Sequence, residues 1–224
     1  MDMKDGLLKL ITLLAFPYRV FMTNKLTLAA ATVATLALAV PVYAQSSGSS
    51  SNTGVVVAVQ GGGLTSVTDL NDAKTADFKT GFNVGGAIGY QFTPIVALRG
   101  TYTYGRAESR GSAFPASLVA GTQTNRQYYG AELQLSAPVA GGIAPYLLVG
   151  GGAVTIKPDT TPSQDSFTKP AGKAGVGINF NVPDTGVSIF AEGSGWFYQF
   201  DKFGFDKTQF DLVWSAGLSY RFGK

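Results

Sequence analysis

Along the last fifteen residues, FDLVWSAGLSYRFGK, large apolar residues alternate with small or polar ones. Phe210, Leu212, Trp214, Ala216, Leu218, Tyr220 and Phe222 share one parity; Asp211, Val213, Ser215, Gly217, Ser219 and Arg221 share the other. A strand points successive side chains to opposite faces, so this segment has one wholly apolar face and one mixed face. The same period-2 pattern marks seven further segments: Gly54–Ser66, Thr80–Phe92, Ile95–Arg106, Arg126–Ala137, Ile143–Ile156, Ala171–Val182 and Val187–Phe200. With Lys207–Phe222 they make eight predicted strands. Each is about twice the ~5–6 residues of a globular strand. Each also exceeds the ~9–11 residues that a tilted strand needs to cross a bilayer.

The connections alternate in length. Long polar stretches fall at Val67–Lys79, Ala107–Asn125 and Lys157–Pro170, with a shorter one at Asp201–Asp206. Between them lie the short turns Thr93-Pro94, Pro138–Gly142 and Pro183–Gly186, where Pro and Gly supply turn geometry. Long loops at one end and short turns at the other are the mark of an up-and-down barrel in an outer membrane. Aromatic residues sort to the strand ends. Phe82, Tyr102, Tyr104, Tyr128, Tyr129, Phe197 and Phe210 fall at the long-loop end; Tyr90, Phe92, Tyr146, Phe180, Tyr220 and Phe222 fall at the short-turn end. Two such levels are expected where rings with an apolar body and a polar edge meet two membrane–water interfaces. The apolar parity is therefore assigned to lipid. Because lipid offers no hydrogen bonds, every strand must pair on both sides and the sheet must close. The predicted fold is all-β: an eight-stranded antiparallel up-and-down transmembrane β-barrel over residues 54–224, after a cleaved signal peptide.

The leader is read from MTNKLTLAAATVATLALAVPVYAQ, starting at Met22. Lys25 forms the charged region, Leu26–Val40 the apolar run, and Val42-Tyr43-Ala44 the small-residue cleavage site before Gln45. The apolar run is shorter than the ~20 residues of a spanning helix. Residues 1–44 are assigned to the signal peptide and 45–53 to a flexible polar lead-in. Met1–Phe21 is either an extended charged region or the product of an upstream start codon, with translation beginning at Met22.

Composition agrees with membrane burial. Only 14% of the 224 residues are charged, against ~25–35% for a soluble surface. Four leader cations against two leader acids supply most of the net charge of +3, so no basic patch points to nucleic acid. The chain has no cysteine and no histidine. A thiolate metal site and a disulfide framework are excluded. So is activation of a serine by histidine, the usual route of acyl transfer and hydrolysis. Gly61–Gly63 and Gly150–Gly152 lie inside strands with no Lys-Ser/Thr after them, and read as close backbone contacts in a curved sheet rather than phosphate loops. No catalytic, cofactor or metal site is expected.

The opposite parity fills the interior. It carries Arg99, Lys173 and Arg221 against Glu132, Glu192 and Asp211, with Gln60, Asn83, Gln91, Gln134 and Asn179 among them. An eight-stranded barrel is only wide enough for side chains to fill, so these charges must pair. Antiparallel register places Arg99 near Glu132 and Gln134, and sets Lys173, Trp196 and Asp211 at one level near the long-loop end. Two outcomes stay open: a packed, ion-paired core that closes the lumen, and a narrow polar pore, or one opened by re-pairing.

The stretches LALAVPVYAQ, GFNVGGAIGYQFTPIVALRGTYTYG and LSYRF resemble the small outer-membrane β-barrel family of Gram-negative bacteria, which includes OmpA-like and OmpX-like barrels and the opacity-type porins. The resemblance implies Tyr220 and Phe222 as the terminal assembly signal read by the barrel-insertion machinery, although Gly223 and Lys224 follow it here. It also implies outer-membrane lipid and lipopolysaccharide as surroundings, a monomer, and long loops free to meet a surface ligand. Three functions follow. The first is a structural or surface-interaction protein without catalysis, and the second a low-conductance porin for small solutes. The third is a soluble periplasmic ligand-binding barrel, which would put the aliphatic parity inside.

Overall fold

The structure, a computed structural model, describes residues 53–68, 76–111, 121–159, 165–201 and 206–223. The predicted signal peptide and all but the last residue of the lead-in lie outside these. The described residues form nine strands: β1 (Gly54–Ser66), β2 (Ala76–Phe78), β3 (Gly81–Gln91), β4 (Val96–Gly111), β5 (Gln123–Ser136), β6 (Ile143–Pro158), β7 (Phe167–Asn181), β8 (Val187–Phe200) and β9 (Lys207–Phe222). All but β2 form one antiparallel ring in chain order. β1 closes it by pairing with β9 from Val55↔Phe222 to Ser66↔Asp211. Every long strand thus has two partners, as an element surrounded by hydrocarbon requires.

Parity sets the two faces. Val55, Val57, Val59, Val84, Ile88, Leu98, Val149, Ile189, Trp214 and Leu218 all point outward and are exposed. That arrangement rules out the soluble periplasmic cup, whose aliphatic face would be internal. The aromatic levels hold for most rings: Phe82, Tyr102 and Tyr129 above, and Tyr90, Phe92, Phe180, Tyr220 and Phe222 below, are outward and exposed. Tyr128 and Tyr146 are corrections. Both are buried inside the barrel, because each shares the inward parity of its strand and each finds an internal carboxylate.

The long-loop end differs from the sequence reading. β4 continues past Arg106 to Gly111, β5 begins at Gln123 and β7 at Phe167. β2, placed in a loop by sequence, pairs with this extension from Ala76↔Gly111 to Phe78↔Ser109. The cause is an inversion of pattern along the strands. Toward the short turns the outward side chains are apolar and the inward ones largely polar. Above the upper aromatic level Arg106, Glu108, Asn125 and Lys157 face outward, while Leu64, Val154, Ile156, Trp196, Tyr198 and Phe200 are buried inside around Phe78. The upper barrel is therefore built like a water-soluble domain, with an apolar core and a polar surface. A search for lipid-facing apolar parity ends where lipid ends.

The short-turn end is made by local chemistry. Thr93 Oγ1 accepts hydrogen bonds from the amides of Ile95 and Val96, at 3.2 and 3.0 Å. Between β5 and β6 a single 3-10 turn, Ala140–Gly142, places Gly141 and Gly142 at φ of 80° and 77°, where a side chain would be strained.

Candidate functional site

The lumen is crossed at mid-height by four charges from four strands. Arg99 on β4 stands in register with Glu132 on β5. Its Nε donates to Glu132 Oε1 at 2.8 Å, its Nη2 reaches the same oxygen, and Nη2 also donates to Glu192 Oε2 at 2.9 Å. Lys173 Nζ lies 2.5 Å from Glu132 Oε2 and 3.3 Å from Glu192 Oε1. Each cation thus touches both carboxylates, and the four side chains form a neutral ring. All four are buried, Glu132 to 1% exposure. Charges so far from water persist only when fully paired.

Two glycines make these reaches possible. Glu132, Gly150 and Lys173 share one register row across β5, β6 and β7, all inward-facing. A Cβ on Gly150 would sit 2.7 Å from Glu132 Cβ, so the bare position lets Lys173 reach Glu132 across β6. Tyr146, Gly177 and Glu192 repeat the device on β6, β7 and β8. The Tyr146 ring lies over Gly177, where a Cβ would meet it at 2.3 Å, and its hydroxyl donates to Glu192 Oε2 at 3.2 Å.

A second neutral layer lies above, toward the long loops. Arg126 on β5 spans the lumen to Asp211 on β9, with Nη1 2.7 Å from Oδ2. The same nitrogen donates to Ser66 Oγ at 2.7 Å, and Ser66 donates to Asp211 Oδ1 at 2.6 Å. Tyr128 and Tyr198 donate to Asp211 Oδ2 at 2.6 and 2.7 Å. The Phe78 ring covers the guanidinium, with Cζ 4.1 Å from its centroid.

The expected interior residues divide accordingly. Arg99, Glu132, Glu192 and Lys173 meet in the ring. Asp211 shares a register row with Trp196 and, through it, with Lys173, but its charge partner is Arg126. Gln134 does not bond Arg99; it donates to Ser136 at 2.9 Å. Arg221 is half-buried near the short turns and donates to Gln91 Oε1 at 3.2 Å. Tyr220 and Phe222 face outward, with ring centroids 4.6 Å apart. Arg126 was missed as an interior charge because the predicted strand began on it, yet it shares the even parity of Glu132 and Gln134. Among the described residues no cluster of acidic residues is placed to hold a metal ion.

A model of the outer membrane protein beta-barrel domain matches residues 30–222. No curated protein matches the chain. Among solved structures, Neisserial surface protein A (NspA) is 17% identical, with 76% of this chain and 99% of that chain covered and a TM-score of 0.57. The N-terminal β-barrel domain of Pseudomonas aeruginosa OprF is also 17% identical, over 77% of this chain and 98% of that one, with a TM-score of 0.48. At such identities the likeness is one of fold. The family match spans nearly the whole barrel, and the aliphatic outer wall is the surface such a domain buries in lipid: the chain belongs to the outer membrane protein beta-barrel domain family and sits in the outer membrane of a Gram-negative envelope.

Proposed function

We propose that this barrel is a closed structural element of the outer membrane that presents its long loops to the cell surface, as a monomer and without catalysis. The observation that carries this reading is the pair of neutral layers. The Arg99–Glu132–Lys173–Glu192 ring and the Arg126–Asp211 bridge each cross the lumen with their charges met internally. A barrel of eight strands has little cross-section to spare, and two such crossings support a closed lumen. Outer-membrane lipid, lipopolysaccharide among it, is the partner of the apolar wall. The loops are the places for a surface ligand, and Tyr220 with Phe222 the signal for the insertion machinery.

A pore for small solutes is the second reading. It is favoured by the ring itself, in which each carboxylate faces two cations and could exchange one for the other. Planar-bilayer recording separates the two: the closed barrel gives a silent membrane, and discrete conductance steps from the wild-type protein would replace it with the porin.

A further inference from the structure

Eight pairings close the ring, and seven of them join strands that follow one another in the chain, β2 aside. The eighth joins β1 to β9, where Ser66 and Asp211 meet from 145 positions apart. This seam carries the largest loop-closure entropy in the ring, and no connecting turn fixes its register. The lower outer wall does not fix it either. Val55, Val57 and Val59 face Phe222, Tyr220 and Leu218, and apolar rows of this kind match as well when shifted by two residues.

Register is specified instead at the glycines of β1. Asn83, Gly62 and Ser215 share one inward row across β3, β1 and β9. Asn83 is buried. Its Nδ2 donates to the carbonyl oxygens of Gly63 at 2.7 Å and Trp214 at 3.2 Å, and its Oδ1 accepts from Ser215 Oγ at 3.0 Å. One side chain from β3 thus holds the backbones of both seam strands and a hydroxyl of β9. It reaches them across Gly62, where a Cβ would collide with the Trp214 carbonyl oxygen. On the outer face the Trp214 indole lies over Gly63, in the space that a Cβ there would take.

A two-residue slip breaks this arrangement in either direction. One shift from the observed register sets Val213 against Gly62 and Asp211 against Leu64. The other sets Trp214 against Thr65 and Val213 against Ser66. Both take Ser215 out of the row of Asn83.

We propose that Asn83, with the bare positions Gly62 and Gly63, is the register lock of barrel closure. It selects which residues of β9 are accepted by β1 when the ring is sealed.

The chain has no cysteine, so introduced pairs report the register directly. In the full-length mature barrel in outer-membrane fragments, Val59→Cys with Leu218→Cys marks the observed register. Val59→Cys with Ala216→Cys, and Gly61→Cys with Leu218→Cys, mark the two slipped ones. Such diagonal positions stand ~7–8 Å apart in the observed register, beyond the reach of a disulfide. Each pair is oxidised with copper phenanthroline, and the linked peptides are quantified by mass spectrometry as a ratio of slipped to observed register. Asn83→Leu removes three hydrogen bonds and should raise that ratio at least about tenfold. Ser215→Ala removes one of them with little change in volume and should raise it about threefold. Tyr146→Phe removes the crossing over Gly177 between strands whose order the chain already fixes, so it should lower the urea midpoint and leave the ratio unchanged. An unchanged ratio in an assembled Asn83→Leu barrel or in Ser215→Ala would overturn the proposal, and the Ser215 arm decides if Asn83→Leu fails to assemble. An equal rise in Tyr146→Phe would also overturn it, because any lost interior bond would then loosen closure.

Discussion

Removing one charge from the mid-height ring should cost far more than removing two of opposite sign. In Glu132→Gln the ring keeps Arg99 and Lys173 against Glu192 alone, and an uncompensated positive charge stays in a site that is nearly sealed from water. Breaking a buried pair in this way costs ~3–5 kcal/mol. With a urea m-value of ~1–3 kcal/mol per M, the midpoint should fall by roughly 1–5 M. Arg99→Met leaves the opposite excess and should fall by a similar amount. The double mutant restores neutrality, with Lys173 paired to Glu192, and should recover much of the loss. Arg99→Met with Lys173→Met leaves two unmatched carboxylates and should be worse than the sum of its parts. Arg99→Met with Asp211→Asn removes opposite charges from different layers, so recovery should be absent and the effects should add. Unfolding of the barrel from lipid vesicles can be followed by tryptophan emission, with Trp196 reporting the interior and Trp214 the lipid face. Single mutants within ~0.5 kcal/mol of wild type, together with additivity in every pair, would refute the buried ring. A wet lumen solvating the orphaned charge would give that result, and the same mutants should then change conductance.

Two further predictions concern topology and processing. A cysteine replacing Asp165, between β6 and β7, should react with an impermeant maleimide on intact cells, whereas one replacing Asp184, in a short turn, should not; the reverse pattern would invert the barrel. The protein extracted from the membrane should begin at Gln45, cyclised or not, by mass spectrometry, and a product retaining Lys25 would refute cleavage after Ala44.

How far the sequence carried this reading depended on which solvent each segment meets. Where the strands face lipid, apolar parity is strict and the boundaries at Gly54, Val187 and Phe222 could be read directly. Above the membrane the same strands switch to an apolar interior, so the period-2 pattern stops at Arg106 and resumes at Arg126, while β4 continues to Gly111 and β5 begins at Gln123. The pairing of Arg99 with Glu132 follows from the shared inward parity of two strands that are consecutive in the chain and antiparallel. The contact of Lys173 with Glu132 does not, because they lie on strands that are not adjacent. Phe78 was unreadable for another reason. It comes from a three-residue strand inside a long polar stretch, and its burial depends wholly on what the barrel mouth offers.

The way this lumen is filled follows from a constraint on volume. In a ring of eight strands every inward side chain competes for the same narrow space, so a side chain reaches along the wall past an adjacent strand where the position between is bare. Gly150 lies between Glu132 and Lys173, and Gly177 between Tyr146 and Glu192. Phe190 likewise lies over Gly217, where a Cβ would meet its ring at 2.7 Å. The inward glycines are thus the spaces across which long side chains reach a strand that is not their hydrogen-bonded neighbour. Charge pairing between non-adjacent strands is then bought by packing as much as by electrostatics. A barrel with alanine or serine at those positions would hold the same charges on the same strands and fail to join them.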